Sequence, residues 1–300
     1  MKRFLSAFIA LVGLAWGVEM LSATGAVASA PGNPWAVREH ALTLTGLGSF
    51  ALMSLAMVLA TRPARLERFF GGMDRIYRVH KWAGILAVGF AVLHWLVELS
   101  DDLIKTLWGR EGRLPKDHGG GLLEAMRDVA EELGEFAIYA LLAMLVLTLW
   151  KRFPFRIWRY VHKGMPVLYL ALAFHAAFLA PLDYWTQPVG VLLAGLIAAG
   201  SVASVRVLAG RIGQDRRVGG VVESVRDAGA GVTEVVCRLD EGWRGHRPGQ
   251  FAFATFDLVV AVGRVQDVVA ARAAQIRVAV ADVVGVGVEV LLVREVQLGL

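Results

Sequence analysis

Six apolar runs dominate the sequence, near residues 4–22, 41–60, 82–99, 133–150, 165–182 and 189–208. A helix needs about 17–25 residues to cross a bilayer, so each run is long enough to do so. Hydrophobic residues make up 56% of the 300 positions and the mean hydropathy is +0.56, which is too apolar for an ordinary soluble domain. The expected fold is therefore an all-α membrane domain of six transmembrane helices, solvated by the lipid bilayer.

The loops orient those helices. The stretch after the second run carries Arg62, Arg65, Arg68, Arg75, Arg78 and Lys81 against only Glu67 and Asp74, and residues 151–163 hold five Lys or Arg and no acid. Asp101, Asp102, Glu111, Asp117, Glu124, Asp128, Glu131 and Glu132 lie between the third and fourth runs. By the positive-inside rule the basic loops are cytoplasmic, the acidic one is outside, and both termini are cytoplasmic in a cell inner (plasma) membrane. The same rule accounts for the net charge of +5, so the basic balance does not point to nucleic acid. Met1-Lys2-Arg3, the first apolar run and Ala28-Ser29-Ala30 imitate a signal peptide, but Pro31 disfavours cleavage and the run is expected to stay as a first helix.

Only one cysteine is present, Cys237, which excludes an internal disulfide, a Cys-x-x-Cys redox pair and a cysteine-ligated iron–sulfur cluster. Histidine is the residue type with a pattern. Of seven, His80 and His94 fall on the third run and His162 and His175 on the fifth. His80 and His94 are fourteen residues apart, a rise of about 21 Å with the two side chains within roughly 40° on one helix face. His162 and His175 are thirteen apart, which matches the depth but leaves an ideal helix about 140° out of phase. Either Pro166 changes the local winding or His162 precedes the regular helix.

Both runs cross from inside to outside, so His80 matches His162 in depth and His94 matches His175. A lone histidine in a membrane helix often only packs and hydrogen-bonds, but four at matched depths point to function. Two layers about 20 Å apart, each with two histidines and no carboxylate beside them, do not suit zinc or a di-metal centre. A facing histidine pair is what a six-coordinate haem iron takes as its axial ligands.

These residues resemble the ferric reductase and NADPH oxidase superfamily. Its six-helix haem domain has one histidine pair with thirteen residues between the members and another with twelve. Both gaps recur here, on the third and fifth helices. The resemblance, over roughly residues 1–257, implies two b-type haems, an inner one on His80 and His162 and an outer one on His94 and His175.

From Arg211 the pattern changes. VGGVVESVRD, GVTEVVCRLD and GQFAFATFD each read as a short strand between Gly-rich and charged turns, as in the opening of an antiparallel barrel. His246, Pro248, Gly249, Gln250 and Phe251 resemble the H-x-P-G-Q-[FY] signature of the same superfamily's flavin barrel, which implies FAD contacts at these positions. By itself the Pro-Gly pair is a turn signal. The family's H-P-[FY]-[ST] strand and Gly-rich nucleotide turns do not follow. Residues 258–300 instead contain fifteen Val and seven Ala, with no Pro, Ser, Thr, Asn, Lys, His or aromatic residue. This tail reads as a disrupted or truncated frame, the alternative being a Val-rich set of strands.

The expected organisation is thus a six-helix ferric reductase-like dihaem domain at 1–210, the N-terminal part of an incomplete FAD-binding β-barrel at 211–257, and an atypical tail at 258–300. The expected function is electron transfer from cytosolic NAD(P)H through FAD and two haems to an extracytoplasmic acceptor, ferric iron or oxygen. These 300 residues alone are expected to bind haem without oxidising NADPH. One alternative is a haem-bearing subunit fed by a separate reductase, either a flavoprotein or a quinol donor. Another is a non-redox transporter or structural membrane protein. His40 is a candidate for the route to the outer haem and His118 for a metal substrate, though each also suits a solvated position. Arg152, Arg156, Arg159 and Lys163 suit haem propionates or flavin phosphates, although topology alone explains them. The nine Trp read chiefly as interfacial anchors.

Overall fold

The computed structural model describes residues 2–22, 33–111, 113, 120–150, 152–213, 217–229, 232–241, 250–257, 275–282 and 291–293. The chain divides into two units, one of residues 1–61 and 77–211 and the other of residues 62–76 and 212–300.

The first unit is helical. Helix α1 spans Lys2–Ser22 and α2 spans Pro34–Ala60. Asn33 caps α2 by accepting the Trp35 N–H at 3.0 Å, and Pro34, which has no N–H to lose, stands in the first turn. Helix α3 covers Ala64–Phe70 in the second unit. It stops at Gly71, whose φ of 73° only glycine adopts freely and whose N–H closes on Glu67 O at 2.8 Å. Helix α4, Met73–Trp108, is 36 residues long, about 54 Å at 1.5 Å per residue, and so outruns the roughly 30 Å hydrocarbon layer. Then come α5 (Leu122–Leu149), the short α6 (Phe155–His162), α7 (Met165–Leu179), a 3-10 turn at Leu182–Thr186 and α8 (Pro188–Leu208).

Among the described residues, four helices are long and apolar enough to cross a membrane: α1 over Lys2–Met20, α2, α4 and α8. The many exposed Leu and Val side chains on them, such as Leu14, Leu93, Leu96, Val191 and Val202, suit a lipid solvent. Where helices meet, side chains are small: Ala83, Ala87, Ala130 and Ala137 are all fully or almost fully buried. One polar clamp ties three helices together. The Tyr169 hydroxyl on α7 donates to Leu196 O of α8 at 3.0 Å and meets Ser54 Oγ of α2 at 2.9 Å, while its ring stacks on Phe50 at 5.4 Å. A buried hydroxyl in hydrocarbon needs such partners, and Gly200 leaves the room for this one.

The second unit holds a five-stranded, wholly antiparallel sheet in the order β3-β4-β1-β2-β5. β1 (Arg217–Gly229), β2 (Val232–Leu239) and β3 (Gln250–Asp257) match the three strands read from the sequence. β4 (Gln275–Asp282) and β5 (Leu291–Val293) come from the Val/Ala-rich tail, and β4 separates β3 from β1. Valine's stiff, branched side chain fits a pleated surface, so a Val-rich stretch forms strands readily. In β2, Val235, Cys237 and Leu239 are half-buried while Val236 and Arg238 are exposed, the period of two that a strand imposes. Burial there pushes the Cys237 thiol above its ordinary range, and Glu223 adds to the effect.

Candidate haem-ligand site

The four histidines form two pairs. His80 and His162 have ring centroids 6.2 Å apart, His94 and His175 6.4 Å, and in both pairs the ring planes cross at 84°. A metal–imidazole bond is about 2 Å and a ring centre lies about 1.1 Å behind its nitrogen, so two imidazoles on opposite sides of one metal have centroids about 6.2 Å apart. The phase problem also resolves. His162 is the last residue of α6, and α7 begins only at Met165, so the two histidines do not share one continuous helix. Pro166 occupies the first turn of α7, where it causes no kink.

Three of the four rings are aimed from behind by backbone. His80 Nδ1 donates to Ala56 O at 3.0 Å, His94 Nδ1 to Leu42 O at 3.0 Å and His175 Nδ1 to Ala130 O at 2.7 Å. A carbonyl only accepts, so in all three the proton is on Nδ1 and the Nε2 lone pair is free for a metal. This is the outer-shell support that metal-binding histidines commonly have. His162 differs: its Nδ1 is buried and has no hydrogen-bond partner.

The carbonyls become reachable through a device absent from the sequence reading. Each already accepts the helical N–H four residues on, and the side chain of that later residue leans back over it. The residue four after Leu42 is Gly46, four after Ala130 is Gly134, and four after Ala56 is Ala60. A Cβ on Gly46 would sit 3.1 Å from His94 Cε1, and one on Gly134 would collide with the His175 ring.

Helices α2 and α4 hold one register along this seam. Arg38 to Glu98 O, His94 to Leu42 O, Ser49 to Ala87 O and His80 to Ala56 O are all 3.0 Å. Steps of four, seven and seven residues along α2 are matched in reverse along α4. On the other side, Arg127 of α5 donates to Phe178 O at 3.2 Å in the same register that joins Ala130 to His175.

Residues 45–173 match the model of the family described as ferric reductase like transmembrane component. This segment belongs to that family. The ferric reductase like segment contains His80, His94 and His162 and ends two residues before His175. Comparison with curated proteins gives no match. The chain is accordingly a multi-pass membrane protein with a transmembrane domain of an oxidoreductase family.

Among the described residues no cluster of three or more His, Cys, Asp or Glu could hold a bare metal ion. Two ligands per layer are nevertheless what a metal already held by four ring nitrogens requires. Of the other sequence candidates, His40 on α2 sits edge-on to Trp16 at 6.4 Å and its carbonyl accepts from Thr43 Oγ1 at 3.1 Å. Arg152, Arg156, Arg159 and Lys163 are exposed, with Lys163 Nζ 5.0 Å from the Tyr160 ring centre. His118, His246, Pro248 and Gly249 lie outside the described residues, and Gln250 and Phe251 open β3 opposite Asp282 and Ala281. The sequence reading missed Arg38, which is almost buried, bonds Glu98 Oε2 at 2.9 Å and leaves its Nε buried without a partner. It also missed Trp158, whose ring lies flat on that of His162.

Proposed function

We propose that the protein is a transmembrane oxidoreductase. Six helices would carry an inner haem on His80 and His162 and an outer haem on His94 and His175. Electrons would pass from cytosolic NAD(P)H by way of FAD and the two haems to an extracytoplasmic acceptor, such as ferric iron or oxygen. The supporting observation is the pair of histidine pairs, at the spacing that two axial imidazoles need, with Nδ1 of three of the four rings taken up by a backbone carbonyl and Nε2 left available. A bound haem supplies a centre that takes and gives one electron at a time.

The residues do the rest. His80 with His162 and His94 with His175 would hold the two haems as axial ligands on both faces, which would leave the acceptor no direct place on the iron. The orphan Nε of Arg38, on the turn of α2 preceding Leu42, is suited to a haem propionate. His246, Pro248, Gly249, Gln250 and Phe251 are proposed FAD contacts, by resemblance.

The test is a reduced-minus-oxidised spectrum of the purified protein with haem quantified per chain. Two six-coordinate low-spin b-type haems are expected, and a protein purified after haem supplementation without a haem spectrum would overturn the reading. Flavin released on denaturation separates it from the alternative of a haem subunit fed by another flavoprotein or by quinol.

A further inference from the structure

Three of the four histidines are steered by a carbonyl on a neighbouring helix, and His162 is not. Its ring could turn about the Cβ–Cγ bond unless something else fixes the plane. Trp158, one turn earlier on α6, does so: the two rings stack 4.8 Å apart at an interplanar angle of 15°. Trp158 is itself held from two sides. Its Nε1 donates to Thr148 Oγ1 of α5 at 2.9 Å, and the Phe155 ring stacks with it at 5.5 Å and 23°. The imidazole plane of His162 thus follows the indole plane to within 15°, while the rings of the outer pair, which cross at the same 84°, bond Leu42 O and Ala130 O.

We propose that Trp158 is the positioning residue of the inner haem, setting the plane of its axial ligand His162 in place of the backbone hydrogen bond that the other three ligands have. The proposal rests on the dihaem reading above. It has a direct spectroscopic consequence, because the angle between two axial imidazole planes governs the anisotropy of a low-spin ferric haem's electron paramagnetic resonance signal. Perpendicular planes give a single strongly displaced feature, and planes closer to parallel give a rhombic one.

The experiment uses the full 300-residue chain in lipid nanodiscs, with the inner signal assigned as the one that survives in His94→Ala. Wild type should show two strongly anisotropic signals. Trp158→Ala should convert the inner one to a rhombic or broadened form and shift its midpoint potential, with the outer signal and the haem count unchanged. Trp158→Phe, which keeps a flat face, should restore the wild-type inner signal. Thr148→Val, which frees the indole without removing it, should broaden the inner signal and serves as the reading if Trp158→Ala does not fold. An unaltered inner signal and potential in Trp158→Ala, or in Thr148→Val where the former is unfolded, would overturn the proposal while leaving the haems in place. Absence of both signals from haem-supplemented wild type would overturn the dihaem reading and this inference with it.

Discussion

The inner and outer histidine pairs reach almost the same geometry, 6.2 and 6.4 Å with planes at 84°, by different means. The outer pair is symmetrical: each ring donates to a carbonyl one turn before a glycine, Leu42 with Gly46 and Ala130 with Gly134. The inner pair is mixed, with His80 on Ala56 O and His162 on an indole face. The outer site is therefore built from backbone, which substitution cannot remove and only a larger neighbour can block. The inner site depends partly on a side chain, which substitution can remove.

The largest expected effects come from the rings themselves. His94→Ala or His175→Ala should abolish the outer haem and His80→Ala or His162→Ala the inner one, so haem per chain falls by about half in each stable variant. A haem-to-protein ratio unchanged in all four would end the comparison. Gly134→Ala comes next, because the added methyl collides with the His175 ring and the ring must leave its carbonyl. Overpacking of this kind costs about 1–3 kcal/mol, and outer haem should be lost in preference to inner. Gly46→Ala places its methyl 3.1 Å from the His94 ring, which can yield by a few tenths of an ångström, so a weaker loss of the same haem is expected. If the two variants act equally, or both deplete the inner haem, the two-carbonyl account of the outer site fails. Arg38→Gln should lower the midpoint potential of the outer haem alone, since removing a nearby cation favours the ferric form; redox titration followed at both haems checks this. The smallest effect belongs to Tyr169→Phe, which removes two hydrogen bonds from the α2–α7–α8 clamp. Thermal unfolding should show a loss of about 1 kcal/mol with both haems retained, which makes it the control for general loosening of the bundle.

The long hydrophobic runs and the four histidines were legible because both are written in residue type and spacing. The pairing of His80 with His162 and of His94 with His175 followed from matched depth. The spacing of His162 and His175 leaves two accounts open, and the structure has the second: His162 precedes the helix that carries His175, the chain breaking at Lys163 and Gly164 between α6 and α7. The carbonyl tethers left little trace, because every residue has a carbonyl. Their only mark is a small residue four positions later, as at Gly46, Ala60 and Gly134, and small residues are common in membrane helices for other reasons. Trp158 reads in the sequence as one more interfacial anchor, because nothing in its spacing marks it; what sets it apart is structural, its stacking on the one of the four histidines whose Nδ1 has no partner. In the second unit, β4 and β5 correspond to the alternative of a Val-rich set of strands, whose ends the skewed composition of residues 258–300 does not mark.

The single register between α2 and α4 has a consequence for how this bundle can change. Because the tethers of His80 and His94 are read off the same two rods, a residue gained or lost in one rod between Leu42 and Ala56, or between His80 and His94, cannot be absorbed locally. It would turn everything beyond it by about 100° and slide it by 1.5 Å, misaiming one histidine while leaving the other in place. Length changes in this stretch are tolerable only when both helices make them together, so the spacing between the two histidine pairs behaves as a fixed gauge.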